Sequence, residues 1–170
     1  MSISNDELSI SEQGLALLEE IEQCRLEPYD DQTGHKINAW TEGATIGVGH
    51  LISKAEWNRY KAGITAAKAK DLFKKDLAPF IDAVRQNIKV VLQQQQFDAL
   101  VMLVFNIGAG NFSTSSVVKL INDPSAKTHY ENLEAAWKAW NKSQGKVMKG
   151  LENRRASEWS VYSKGIYQKW

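Results

Sequence analysis

Two carboxyl residues, Glu22 and Asp31, flank the segment Arg25-Leu26-Glu27-Pro28-Tyr29, and a hydroxyl residue, Thr45, opens the run Thr45-Ile46-Gly47-Val48-Gly49-His50. A carboxyl kept protonated near neutral pH can serve as a general acid, while an ionised one can activate or orient water. Helical patterning puts Glu22 in the last turn of a helix, where the negative end of the macrodipole disfavours a charged carboxylate. Asp31 falls in a polar Asp-Gln-Thr-Gly turn, which favours the ionised form. Two carboxyls in divergent surroundings are what cleavage of a glycosidic bond requires. Their spacing alone also fits a solvated surface pair, so it is a hypothesis and not a motif.

Several elements must hold these residues. Ser9 or Ser11 can cap a first helix, with Ser9 and Glu12 spaced as a capping box, and Leu15, Leu18 and Ile21 form its apolar face. Lone Cys24 continues that pattern and reads as a buried structural thiol. Pro28 blocks further helix, and residues 26–49 read as short strands and turns punctuated by Gly34, Gly43, Gly47 and Gly49. Ser53 and Glu56 have capping-box spacing for a short helix that Gly63 ends. Thr65 begins a long helix to about Ile88, with Pro79 as an expected kink. Gln94–Ile107 is apolar nearly all round in its second half and reads as the buried centre of a second lobe. Ser116–Asn122 is a short helix stopped by Asp123-Pro124. Thr128 and Glu131 form a box-like start for the next, Gly145 and Gly150 flank a basic loop, and Leu151 to Tyr162 is the last helix. The six tryptophans mostly fall at apolar helical positions, which predicts core. In the loop 35–44, Trp40 and Ile37 are expected to pack on the small lobe; stacking of Trp40 on a sugar ring is the alternative.

The order Glu22, Arg25-Leu26, Pro28-Tyr29, Asp31, Gly34 and Thr45-Ile46-Gly47-Val48-Gly49-His50 resembles the phage-type lysozymes, glycoside hydrolase family 24. The resemblance continues in Phe105-Asn106-Ile107-Gly108 and from Gly150-Leu151 through Arg154-Arg155 to Glu158-Trp159. It implies an α+β fold, mostly helical, with a small N-terminal β-containing lobe joined by a long helix to a helical C-terminal lobe. The expected organisation is a single domain over 1–170, with lobes at 25–64 and 88–170, residues 1–24 near the cleft and 65–88 as the connector. The implied activity is that of a muramidase cutting between N-acetylmuramic acid and N-acetylglucosamine. Glu22 would protonate the glycosidic oxygen, and Asp31 and Thr45 would position the water. The segment 35–44 is longer than the family pattern, so Thr41 competes with Thr45; Thr45 directly precedes Ile-Gly-x-Gly-His. Leu51, Phe105, Asn106 and Ser116 fall where the family lines its cleft. The resemblance also pairs His50 with Asp76 and lets Arg154 and Arg155 support the acid pair, with surface placement the default for one of them.

Composition narrows the alternatives. The 170 residues are 43% hydrophobic and 24% charged, with a net charge of +1. That balance is globular and argues against a nucleic-acid partner, which calls for a basic excess. No apolar run reaches membrane-spanning length, so no membrane insertion is expected. The N-terminus lacks a basic start and an apolar signal core. The expectation is synthesis in a bacterial host cytoplasm and action in the periplasm or cell wall after release. No cofactor and no metal is implied, and bacterial peptidoglycan is the implied partner of a monomer. Release through a holin pore, or secretion with an immunity protein, both stay open. A non-catalytic wall-binding or toxin module retaining the fold is the alternative reading.

Overall fold

A proline inside a strand, glycines at turns and one apolar run without a polar face set much of this architecture. The computed structural model describes residues 4–170. It is α+β and mostly helical, as expected. Two compact units divide it: residues up to Leu18 with Pro79–Trp170, and Glu19–Ala78. Helices α1 (Glu12–Glu22) and α3 (Ala66–Asn87) each run from one unit into the other. Along α3 the division falls at Pro79, whose missing N–H removes one helical hydrogen bond there. Among the described residues no helix is long and apolar enough to cross a membrane.

The smaller unit holds a three-stranded antiparallel sheet in the order β1 (Arg25–Asp30), β2 (Ala44–Gly47), β3 (His50–Leu51). Its register pairs Arg25 with Gly47, Tyr29 with Thr45 and Thr45 with Leu51. Pro28 cannot donate to a ladder, and β1 bulges between Arg25 and Tyr29 around it. The bulge carbonyls find other donors: Leu26 O accepts from Ile64 N–H at 2.9 Å and Pro28 O from Ile37 N–H at 3.1 Å. The Ser53–Glu56 capping box forms, opening a 3₁₀ turn (Lys54–Glu56) that leads into the single helical turn α2 (Trp57–Tyr60). The Ser53 N–H bonded to the Glu56 carboxylate, with help from the Ser53 hydroxyl and from His50, holds that carboxyl below its ordinary value despite some burial.

Ala44, Ile46, Ile52, Tyr60 and Leu72 form the core of this unit, and Ile37, Trp40, Trp57 and Ile64 pack against it. Trp40 also donates its indole N–H to Ile52 O at 2.9 Å. Trp40 and Ile37, the large apolar side chains of an otherwise polar loop, therefore help to fasten residues 35–44. Trp40 is only half-buried, so Trp40→Ala is expected to cost about 2–3 kcal/mol, below the roughly 3–5 kcal/mol of a fully buried aromatic. Denaturant unfolding measures this; unchanged stability would mean that the loop is held otherwise.

In the larger unit α4 (Gln94–Ile107) is buried continuously from Phe97 to Val104, as its all-round apolar sequence predicts. The final helix α8 (Lys149–Lys164) packs along it, with α5 (Ala109–Ser113), α6 (Ser116–Asn122) and α7 (Leu133–Lys138) around them. Two buried carboxylates organise this unit. Asp98 accepts from Ser11 N–H and Gln94 Nε2, both at 2.9 Å, from Tyr167 Oη–H at 2.6 Å and from the Ser11 hydroxyl. Burial, and then Asp98, push the Tyr167 phenol well above its ordinary value. Glu158 accepts from Trp137 Nε1 at 3.0 Å, Arg154 Nε at 3.0 Å and Arg155 Nη2 at 2.8 Å.

Several sequence expectations are corrected. Ser11, not Ser9, caps α1: its hydroxyl accepts from Gly14 N–H at 3.1 Å. Cys24 is exposed, because α1 ends at Glu22 and Gln23 turns left-handed with φ 63°, so the helical pattern does not extend to it. Thr128 does not start a helix; its hydroxyl accepts from Tyr130 N–H in a local turn, and Asn132 caps α7. The basic loop is a hairpin, β4 (Lys142–Ser143) and β5 (Lys146–Val147), closed by Gln144 and Gly145, both at positive φ. α8 starts two residues before Leu151 and ends two after Tyr162. Arg154 and Arg155 are both buried, neither at the surface, because Glu158 compensates their charge. Of the six tryptophans only Trp137 is fully buried, and Trp170 is 51% exposed.

Candidate active site

The three candidate catalytic residues all belong to the smaller unit. Glu22 is the last residue of α1 and half-buried. Asp31 follows β1 directly and is exposed, and Thr45 lies buried in β2. Asp31 and Thr45 are tied through one atom. The carbonyl oxygen of Gly43 accepts from Asp31 N–H at 2.9 Å and from the Thr45 hydroxyl at 2.8 Å. That use of its proton leaves the Thr45 oxygen with lone pairs to accept a hydrogen bond.

Gly43 matters in a second way. Its φ is 94°, and a Cβ added there would lie 2.5 Å from Asp31 Oδ1 and 3.0 Å from Asp30 Oδ1. The carboxylate of Asp31 therefore occupies space that only a glycine leaves open. Sequence reading treated Gly43 as punctuation; its position just before the strand that begins Ala44-Thr45 was the available signal.

Across the sheet, Tyr29, Thr45 and Leu51 are directly paired and so share one face. Burial raises the Tyr29 phenol above its ordinary value, Arg25 opposes this, and the Asp31 and Glu22 carboxylates and Cys24 add to it. Both acids thus act on the same phenol. At the start of β3, His50 Nδ1 lies 2.8 Å from Asp76 Oδ2, the expected pair, while Nε2 is 3.5 Å from Glu56 Oε2 and the ring meets Tyr60 edge-on.

The candidate substrate contacts are split between the units. Leu51 is 61% exposed on the smaller one. On the larger one, Phe105 is half-buried with its ring edge-on to Phe80, Asn106 is exposed with its amide oxygen held by Arg155 Nη2 at 2.9 Å, and Ser116 is the half-buried first residue of α6. Asn106 also lines a groove of about 600 Å³ with Asn111, Tyr130, Trp140, Lys142 and Leu151. Of these neighbours none was singled out from sequence as a site residue, since they come from four separate stretches of chain.

The family model for phage lysozyme matches residues 19–158. The endolysin of Bacillus phage PZA is 35% identical over 158 residues, which are 93% of this chain and 56% of that protein. The chain spans about half the length of the Bacillus phage relatives that it matches. Among solved structures, the endolysin from Escherichia coli O157:H7 phage FAHEc1 superposes with a TM-score of 0.76 at 30% identity, covering 96% of this chain and 98% of that one. The muramidase domain of SpmX from Asticaccaulis excentricus gives a TM-score of 0.71 at 31% identity, covering 92% and 98%.

Proposed function

The chain belongs to the phage lysozyme family, and from that premise we propose that it is a peptidoglycan hydrolase cutting the bond between N-acetylmuramic acid and N-acetylglucosamine by inversion. Glu22 gives its proton to the glycosidic oxygen as the bond breaks. Asp31 takes a proton from the attacking water, so the net reaction adds one water across the bond. The observation that carries this reading is the shared Gly43 carbonyl, which holds Asp31 and Thr45 in one register. A water donating one hydrogen to Thr45 Oγ1 and the other to the Asp31 carboxylate would keep a lone pair for the anomeric carbon. This favours Thr45 over Thr41 as the partner of the water. Leu51, Phe105, Asn106 and Ser116 are the proposed substrate contacts, and the cell wall is the proposed site of action.

Related chains named endolysin and muramidase domain support the same reaction class. Incubation with purified peptidoglycan tests it. A hydrolase clears the suspension and releases soluble muropeptides. A non-catalytic wall-binding module sediments with the wall and releases none, which would overturn the proposal.

Gly43→Ala should separate geometry from composition, since every catalytic residue stays in place in the sequence. The added methyl meets the Asp31 carboxylate at 2.5 Å, and a positive φ disfavours it further. A displacement of the order of 1 Å at a reacting group can cost roughly 10²-fold in rate. The turnover of Gly43→Ala on soluble glycan strands should fall by about that factor; turnover equal to wild type would contradict the placement of Asp31.

A further inference from the structure

Arg25 opens β1 three residues after Glu22, the last residue of α1, and its side chain reaches the turn that follows Asp31. Its Nη1 donates to the carbonyl of Gly34 at 2.8 Å, and its guanidinium carbon lies 4.0 Å from the centroid of the Tyr29 ring. In a regular strand, residues four apart are about 13 Å from one another along the chain. The bulge at Pro28 bends β1 between Arg25 and Tyr29 and lets the long arginine side chain fold over the ring.

The turn beneath it is closely specified. Gly34 N–H bonds to Asp30 O at 2.7 Å, Asp30 N–H to His35 O at 2.9 Å and Gln32 N–H to the Asp30 carboxylate at 2.9 Å. Gly34 sits at φ 73°, the conformation that closes the turn. Asp31 is thus fixed on one side by the Gly43 carbonyl that takes its N–H, and its turn is tied on the other by Arg25.

We infer that Arg25 is a positioning residue of the reaction: by bridging the Tyr29 ring and the Gly34 carbonyl it holds the Asp31 turn in register with Thr45 and with the end of α1 that carries Glu22. The inference rests on the reading of Glu22, Asp31 and Thr45 given above. Planarity suits arginine to the task, since a guanidinium can stack on a ring and donate from its edge at once. A lysine ammonium can approach the ring or the carbonyl, but fills both roles less well.

The test is steady-state kinetics on soluble, uncrosslinked glycan strands, with melting temperatures measured beside them. Arg25→Met keeps the apolar stem and should lower kcat about tenfold, with KM within about twofold of wild type and little change in melting temperature. Arg25→Lys should recover part of the lost kcat. Tyr29→Leu removes the ring with Arg25 retained and should show the same loss in kcat; it carries the test if Arg25→Met does not fold. A kcat within about twofold of wild type in Arg25→Met and in Tyr29→Leu overturns the inference, as does a loss confined to KM, which would make Arg25 a substrate contact. If wild type is inactive, or Glu22→Gln is as active as wild type, the underlying reading has failed instead.

Discussion

Glu22→Gln is expected to lower peptidoglycan cleavage by about 10²–10⁴-fold, the usual contribution of a general acid. Glutamine matches the shape of glutamate but has no carboxyl proton to give the leaving oxygen. Glu22 stands at the C-terminal end of α1, half-buried, and the Asp31 and Glu22 carboxylates both bear on the Tyr29 phenol. The melting temperature should stay within a few degrees of wild type, so that lost activity reports chemistry and not folding. Turnover of the purified variant on peptidoglycan checks this. Near-normal turnover would remove Glu22 from the reaction.

The largest expected effect on stability lies in the other unit. Glu158 is fully buried and neutralises Arg154 and Arg155 while accepting from Trp137. Arg154 reaches on to Met102 O at 3.0 Å in the middle of α4, and Arg155 to Trp140 O at 3.1 Å. Glu158→Gln removes a buried charge that pairs with two guanidinium groups and presents an amide N–H₂ where an acceptor stood. Breaking such a buried arrangement from one side costs about 3–5 kcal/mol. For a chain of this size that is on the order of 10 °C in melting temperature, measurable by calorimetry. Because Arg155 also holds the amide of Asn106, a proposed substrate contact, the remaining folded protein is expected to bind glycan more weakly if that proposal holds. A shift below about 2 °C would mean that the network contributes specificity of structure and little stability.

Some of this was legible in the sequence, for reasons that differ from residue to residue. The burial of α4 was, because a helix without a polar face has no way to meet water. So were the Ser53–Glu56 cap and the anchoring of loop 35–44 by Trp40, both set by local chemistry. Cys24 was misread because one left-handed residue, Gln23, ends the helical period that a pattern assumes. The hairpin of 142–147 was missed because its signal, Gln144-Gly145, is a weak form of the Asn-Gly turn. The burial of Arg154 and Arg155 depends on Glu158 and on α4, a tertiary circumstance that no local window contains. Within the candidate site, sequence proposed Glu22, Asp31 and Thr45 but held no sign of the link between Asp31 and Thr45. That Gly43 accepts from both Asp31 and Thr45 depends on how the longer segment 35–44 closes, and Arg25 owes its place over Tyr29 to a bulge.

The central claim is that Glu22 and Asp31, with Thr45, add water to a β-glycosidic bond from the face opposite the leaving group. Proton NMR of the reducing ends, recorded as wild-type enzyme releases them from glycan strands, tests it most directly. Inversion at N-acetylmuramic acid predicts that this sugar is the new reducing end and that its α anomer appears first, with the β anomer growing in only by mutarotation. First appearance of the β anomer, or N-acetylglucosamine at the new reducing end, would contradict the account.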